Sequence, residues 1–348
     1  MDILAAGHLA ALIGALGGAV LGLSARLGGF CTLGAIEAAA YGGDQRQLRM
    51  WGLALGLAII LCGALVGVGQ IDLMSTLYHR TDWNPAASIV GGLTFGYGMA
   101  LAGNCGFGAL ARVAGGDLRA LAVTVCIAIA GYMALNGPLA GLRVALFPAT
   151  PSVAPQSIAL AAGDLTGIPP FAIALAIGLA LIAWALTHAP FRSSASHVVW
   201  AAAAGLAIVW ALWAMSLLHQ DSFGEVAVEG YTFTAPLGKT LLYLMTAPPT
   251  GLGFAVGSVF GVVGGAAAAS LWRRQFRWEA CDDPRELGRQ FGGAFLMGIG
   301  GVIAAGCSIG QGLTAFATLA YSAPVTLACI GIGALIGLRQ LITSFQPD

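Results

Sequence analysis

Apolar residues in this chain do not alternate with polar ones as in a surface strand or an amphipathic helix; they run on. Near-continuous apolar stretches occupy 51–69, 120–135, 171–188, 198–218, 251–271 and 323–342. Each approaches the roughly 20 residues that carry a helix across a bilayer. Three more stretches, 5–40, 86–111 and 290–319, are as apolar but are broken by glycines around a central cysteine. The pieces flanking each break are too short to span alone, which predicts half-helices meeting near the membrane midplane. Unpaired backbone at that depth is tolerated only against protein or a cavity. The pattern therefore predicts an all-α polytopic membrane protein with about nine crossings.

Composition agrees. The chain is 58% hydrophobic and 9% charged, against about 25% charged in soluble domains. Formal net charge is zero, and no basic tail points to nucleic acid. The first stretch follows Asp2 rather than a basic segment, so it reads as a retained span and not a cleaved signal. No nucleotide-binding signature is present. Most of the seven cysteines lie inside apolar stretches, with no Cys-x-x-Cys pair and no Cys/His cluster, so neither a disulfide framework nor a metal or other cofactor is expected.

Cations set the orientation. With the loop 41–50 in the cytoplasm and one crossing per stretch, the inner side receives Arg46, Arg49, Arg112, Arg119, Arg192, Arg273, Arg274, Arg277, Arg285, Arg289 and Arg339. The outer loops receive only Arg80 and Arg143. The N-terminus is then periplasmic and the C-terminus cytoplasmic. Four crossings precede Pro138, one links, and four follow, so the second half is inverted. This divides the chain into a first membrane repeat (1–135), an outer connection plus one linking helix (136–197) and a second, inverted repeat (198–348). Inverted repeats with broken helices are a transporter or channel architecture.

The three breaks resemble one another. A shift of 74 positions pairs Gly17, Gly18, Gly22, Gly29, Cys31 and Gly34 with Gly91, Gly92, Gly96, Gly103, Cys105 and Gly108. A shift of 202 pairs Gly91, Gly96, Gly98, Cys105 and Gly108 with Gly293, Gly298, Gly300, Cys307 and Gly310. Each break thus reads Cys-x-x-Gly. At a fourth position the best match to Cys31 is Ala235, followed by Gly238 and by Lys239, the only lysine in the chain.

A thiol in apolar surroundings stays protonated and offers a weak S–H donor and a soft sulfur. A half-helix starting beside it adds free N–H groups and a positive dipole end. That combination suits an anion with an exposed sulfur better than a hard oxyanion. Arg26 and Lys239 are the cations nearest the breaks and the candidates to offset the desolvation of an anion. Gly34, Gly108 and Gly310 are expected to allow close backbone approach or a strained turn. Asn104 and Gln311 flank the thiols as polar lining or as helix–helix hydrogen bonds. Glu37 reads as an interfacial residue or a proton carrier, and the five histidines as interface anchors. Cys62, Cys126 and Cys329 lack the glycine frame and read as packing; Cys281 reads as incidental.

The segments Gly-Phe-Cys31-Thr-Leu-Gly, Gly-Asn-Cys105-Gly-Phe-Gly and Ala-Gly-Cys307-Ser-Ile-Gly-Gln-Gly resemble those of the YeeE/YedE family of bacterial inner-membrane sulfur-compound transporters. The resemblance covers nearly the whole chain. It implies thiosulfate uptake, with Cys31, Cys105 and Cys307 as relay thiols that pass the anion inward without covalent transfer. It also implies a cytoplasmic TusA-like sulfurtransferase as partner. Two other readings compete with this one. One is a membrane thiol sulfurtransferase forming persulfides, which would need a base beside a thiol; the other is a channel for a small sulfur or selenium species.

Overall fold

In the computed structural model, residues 3–247, 252–280 and 283–344 are described. Among them the chain is helical, without β-strands. In order, the helices are α1 (Ile3–Leu27), α2 (Thr32–Ala40), α3 (Arg46–Gly67), α4 (Leu77–Arg80), α5 (Pro85–Ala102), α6 (Gly106–Val113), α7 (Leu118–Leu135) and α8 (Ala140–Leu146). Then follow α9 (Ile158–Thr166), α10 (Pro170–Leu186), α11 (Ala189–Arg192), α12 (Ala195–Asp221), α13 (Ala235–Thr246), α14 (Phe254–Trp272) and α15 (Pro284–Ile303). A π-helical turn (Gly310–Ala315) precedes α16 (Ser322–Ser344). Cys281 lies outside the described residues.

Among the described residues seven spans are long and apolar enough to cross a membrane, and the bent pair α9–α10 makes eight. This is a multi-pass membrane protein. The expected ninth crossing corresponds to α15, whose opening residues Arg285, Glu286 and Arg289 make it more polar. α1 and α5 are themselves long helices, and only α2 and α6 after the breaks are short. The breaks therefore join a full helix to a half-helix rather than two halves. The outer connection also holds more order than expected, in α8 and α9.

Glycine positions its partners by letting backbones touch. α1 and α14 run parallel: a methyl at Gly14 would sit 2.5 Å from Phe254 O, and one at Gly18 would sit 2.7 Å from Ser258 O. α5 and α15 run antiparallel through Gly91 against Gly300 and Gly98 against Gly293. α5 and α16 run parallel through Gly92, Gly333 and Gly337. The pairing scheme has a symmetry. α1 packs on α14 and α12 on α3; α5 packs on α16 and α15 on α7; α2 touches α3 and α16, while α13 touches α14 and α7. Exchanging α1, α2, α3, α5 and α7 for α12, α13, α14, α15 and α16 leaves the scheme unchanged. α1 and α12 are antiparallel, with Gly17 beside Trp210 and Gly28 beside Trp200, so the two helix sets point in opposite directions.

Most of the arginines gather on one face. Arg26 donates to Ser270 Oγ at 2.9 Å, and Arg273 to Leu27 O at 3.1 Å. Arg119 lies 3.7 Å from Asp117, 3.7 Å from Glu279 and 3.9 Å from Glu286. On the opposite face the short α4 is wedged into the protein. Its His79 is wholly buried rather than interfacial, with Nε2 2.8 Å from Thr318 Oγ1. Burial lowers its pKa to about 4.

An unfolded histidine titrates near 6.5, so above that value His79 is neutral in both states. Between pH 6.5 and about 4 the unfolded chain binds a proton that the folded one refuses. Stability should therefore fall with acid across that window, by on the order of 3 kcal/mol. Melting temperatures in detergent at pH 7.5, 5.5 and 4.5 should show this loss, and it should be smaller in His79→Gln, which cannot titrate.

Candidate functional site

The three cysteine breaks share one backbone device. Two residues before each thiol the chain is left-handed, at Gly29 (φ 71°), Gly103 (φ 74°) and Ala305 (φ 54°). That conformation stops the preceding helix. Cys31 and Cys105 are then extended and stand in the N-cap position of α2 and α6. Each sulfur accepts the N–H three residues on: Gly34 N to Cys31 Sγ at 3.5 Å, Gly108 N to Cys105 Sγ at 3.4 Å, Gly310 N to Cys307 Sγ at 3.5 Å. The Cys-x-x-Gly spacing is the spacing of an N-cap to its N3 amide. None of Gly34, Gly108 and Gly310 has positive φ, so the strained-turn reading of these glycines does not hold. The turn lies upstream of the thiol.

These helix starts converge. Thr32 Oγ1, next to Cys31, donates to Ser308 Oγ, next to Cys307, at 2.9 Å. Gly106, next to Cys105, packs against the Phe233 carbonyl, where a methyl would lie 3.0 Å from the oxygen, and Cys105 is close enough to both other thiols to feel their charge. Cys307 Sγ also accepts from Phe233 N at 3.2 Å and from Thr232 Oγ1 at 3.5 Å. Phe233 stacks toward Phe107 with ring centroids 5.3 Å apart, which ties the start of α6 to the segment before α13. Cys105 and Cys307 are each 1% exposed, whereas Cys31 is partly exposed.

α13 starts at the same place. Its N-cap is Thr234, so the hydroxyl of Thr234, and not Ala235, occupies the place that Cys31 holds in α2. Four helix N-termini thus face one centre: α2, α6, α13 and the turn beginning at Ser308. Each positive end is worth up to about 2 kcal/mol to a partly buried anion. Together they approach the several kcal/mol that desolvating an ion costs.

Neither predicted cation contacts a thiol. Arg26 turns to Ser270 on the arginine-rich face, and Lys239 pairs with Glu229 at 2.9 Å. Gln311 is fully engaged: Nε2 donates to Ala304 O at 2.7 Å, and Oε1 accepts from Ser322 Oγ at 3.0 Å. Asn104 is 4% exposed and its Oδ1 has no partner. Glu37 is exposed. Cys62 is buried in α3, and Cys126 donates to Phe291 O. A cavity of about 290 Å³ opens from the face opposite the arginines and is lined by Tyr78, Arg143, Thr232, Thr234, Gln311 and Ser322, among others.

Sequence reasoning missed Thr32, Ser308, Thr232, Phe233 and Gln47. The first two follow a framed cysteine directly and share its register. Thr232 and Phe233 come from an irregular segment without periodicity, and only the fold brings them to Cys307. Gln47 opens α3, and its unpartnered Oε1 faces Gly34.

Two of these glycines should respond differently to alanine. A methyl at Gly108 would meet only ordinary contacts, 3.5 Å to Asn104 Cβ and 3.8 Å to Cys105 Sγ. At Gly310 it would lie 2.6 Å from the Thr232 hydroxyl that bonds Cys307. Gly108→Ala should keep near-native melting temperature and transport, and Gly310→Ala should lose both, as read by thermal melts and uptake assays.

A family model described as sulphur transport matches residues 27–336. The chain is 26% identical over 339 residues to the thiosulfate transporter TsuA of Escherichia coli K12, covering 92% of each chain. It is also 26% identical over 322 residues to the thiosulfate transporter TsuA of Spirochaeta thermophila, covering 89% of this chain and 92% of that one. With the thiol-capped breaks in place across the matched region, the chain belongs to the sulphur-transport (YeeE/YedE) family.

Proposed function

We propose that this protein is an inner-membrane transporter that takes up thiosulfate or a close sulfur oxyanion, with a periplasmic N-terminus and a cytoplasmic C-terminus. The names of the two relatives support a sulfur-anion substrate. The observation that carries the mechanism is the convergence of three thiol-capped helix starts.

The anion enters the cavity on the Arg143 side and meets Cys307, then Cys105, then Cys31, which is partly exposed. At each station a neutral thiol offers a weak S–H donor and a polarizable acceptor. The helix end behind it supplies N–H groups and positive potential. No acidic or basic side chain bonds these sulfurs among the described contacts. The sulfurs therefore have no base to make them nucleophiles, and the anion moves by exchange of hydrogen bonds without a covalent intermediate. The arginine-rich face is the cytoplasmic side, where a TusA-like sulfurtransferase would accept the cargo.

Uptake of labelled thiosulfate into proteoliposomes tests this. Transport should run at least about tenfold faster than that of sulfate, equivalent to 1.36 kcal/mol of barrier. Cys105→Ala and Cys307→Ala should abolish uptake, and Cys126→Ala should leave it unchanged. Cys105→Ser should abolish uptake while holding or raising the melting temperature, because an oxygen caps a helix better than a sulfur. Equal rates for sulfate and thiosulfate, or a persulfide trapped on Cys105, would overturn the proposal.

A further inference from the structure

Three of the four converging helix starts are capped by a thiol. At the fourth, Thr234 stands in the capping position of α13 but caps nothing. Its backbone is already helical, at φ −99° and ψ −65°, which denies the side chain the extended geometry of a capping residue. Thr234 is 2% exposed and Oγ1 has no partner. Burying a hydroxyl unpaired is costly, so this position invites a ligand.

The surroundings fit that reading. Thr234 and Gly301 both line the cavity on the Arg143 side. A methyl on Gly301 would press on Thr234 Oγ1 most closely and lie 2.9 Å from Cγ2, so only glycine leaves the threonine hydroxyl its place. The first turn of α13 adds the N–H groups of Ala235 and Leu237, while Pro236 has none. Two other polar side chains of the cavity are engaged: Gln311 at both ends of its amide, and Arg143 through its bond to Ala134 O. Among the described residues, Thr234 alone combines a place in the cavity wall with a buried, unpartnered side-chain oxygen. Its neighbour Phe233 donates its N–H to Cys307 Sγ, so the Cys307 thiol lies just behind the stretch of cavity wall that Thr232 and Thr234 form.

We infer that Thr234, with the amide end of α13, is the oxygen-binding half of the entry site. It takes the hard oxygens of a sulfur oxyanion and leaves the soft terminal sulfur to Cys307. The anion then enters the thiol relay with its sulfur leading. This assignment rests on the transport reading above and adds an orientation to it.

Thiosulfate uptake by Thr234→Val and Thr234→Ser proteoliposomes tests the assignment. The valine keeps the shape and loses the hydroxyl, so KM should rise about tenfold, which is 1.4 kcal/mol, with kcat within about twofold of native. Serine should restore KM, which packing alone would not do, since serine lacks the methyl. As a second measurement, Thr234→Cys adds a thiol to the cavity wall. Its alkylation by a membrane-impermeant maleimide, above that of the native protein, should be slowed by millimolar thiosulfate. Native KM in Thr234→Val, serine as damaging as valine, or no protection from alkylation would each overturn the assignment while leaving transport standing. A native protein that moves no thiosulfate would overturn the transport reading and this one together.

Discussion

Everything in this structure follows from how a chain stops and restarts a helix where no water is at hand to bond the freed backbone. The first N–H groups of a new helix need acceptors. Elsewhere the chain supplies oxygen: Asp72, Asn84, Asp117 and Asp283 accept from their helices at 2.8–3.2 Å. At the three central starts it supplies sulfur at 3.4–3.5 Å, a weaker acceptor. Stability alone would favour serine or aspartate there. The rule is kept at the periphery and broken three times at the centre, the kind of local departure on which the proposed site rests. The glycine-lined contacts of α1 with α14 and of α5 with α15 and α16 bring those weak caps to one place.

Charge is handled in the same spare way. An anion site built on arginine would hold its ligand tightly and would need a counter-charge when empty. Here the cations sit apart, Arg26 on Ser270 and Lys239 on Glu229. The centre instead gathers four helix starts. Such fixed dipoles need no counter-ion when empty, and each is weak enough that, on the proposed reading, an anion could move on to the next. That graded weakness is what the proposed relay would require.

Much of this was legible in the sequence. Long apolar runs disclose spans because a bilayer demands them, and the register of Cys31, Cys105 and Cys307 disclosed the breaks because the same turn recurs. The inverted order followed from an odd number of crossings. What could not be read depended on contacts remote in sequence. Thr232 and Phe233 reach Cys307 across about 75 positions, from a segment with no repeat of its own. Thr234 was shadowed by the better apparent match at Ala235, because one position decides which residue stands at a helix start and a two-residue identity cannot fix it. Arg26 and Lys239 are the cations nearest the breaks in sequence, but a long side chain reports its partner only through the fold, which puts them on Ser270 and Glu229.

The tightness of the centre has a bearing on the cell that carries it. Cys105 and Cys307 are closed to solvent, the Phe233 amide bonds Cys307, and the Phe107 and Phe233 rings pack on each other next to them in the chain. A bacterial membrane stores its working energy as a gradient of protons and ions. A standing water-filled pore would drain that store whether or not sulfur was being imported. If these buried thiols line the path proposed above, a passage closed in this way would open only around its cargo, and a cell could keep many copies in place through sulfur-poor and sulfur-rich times alike without discharging its membrane.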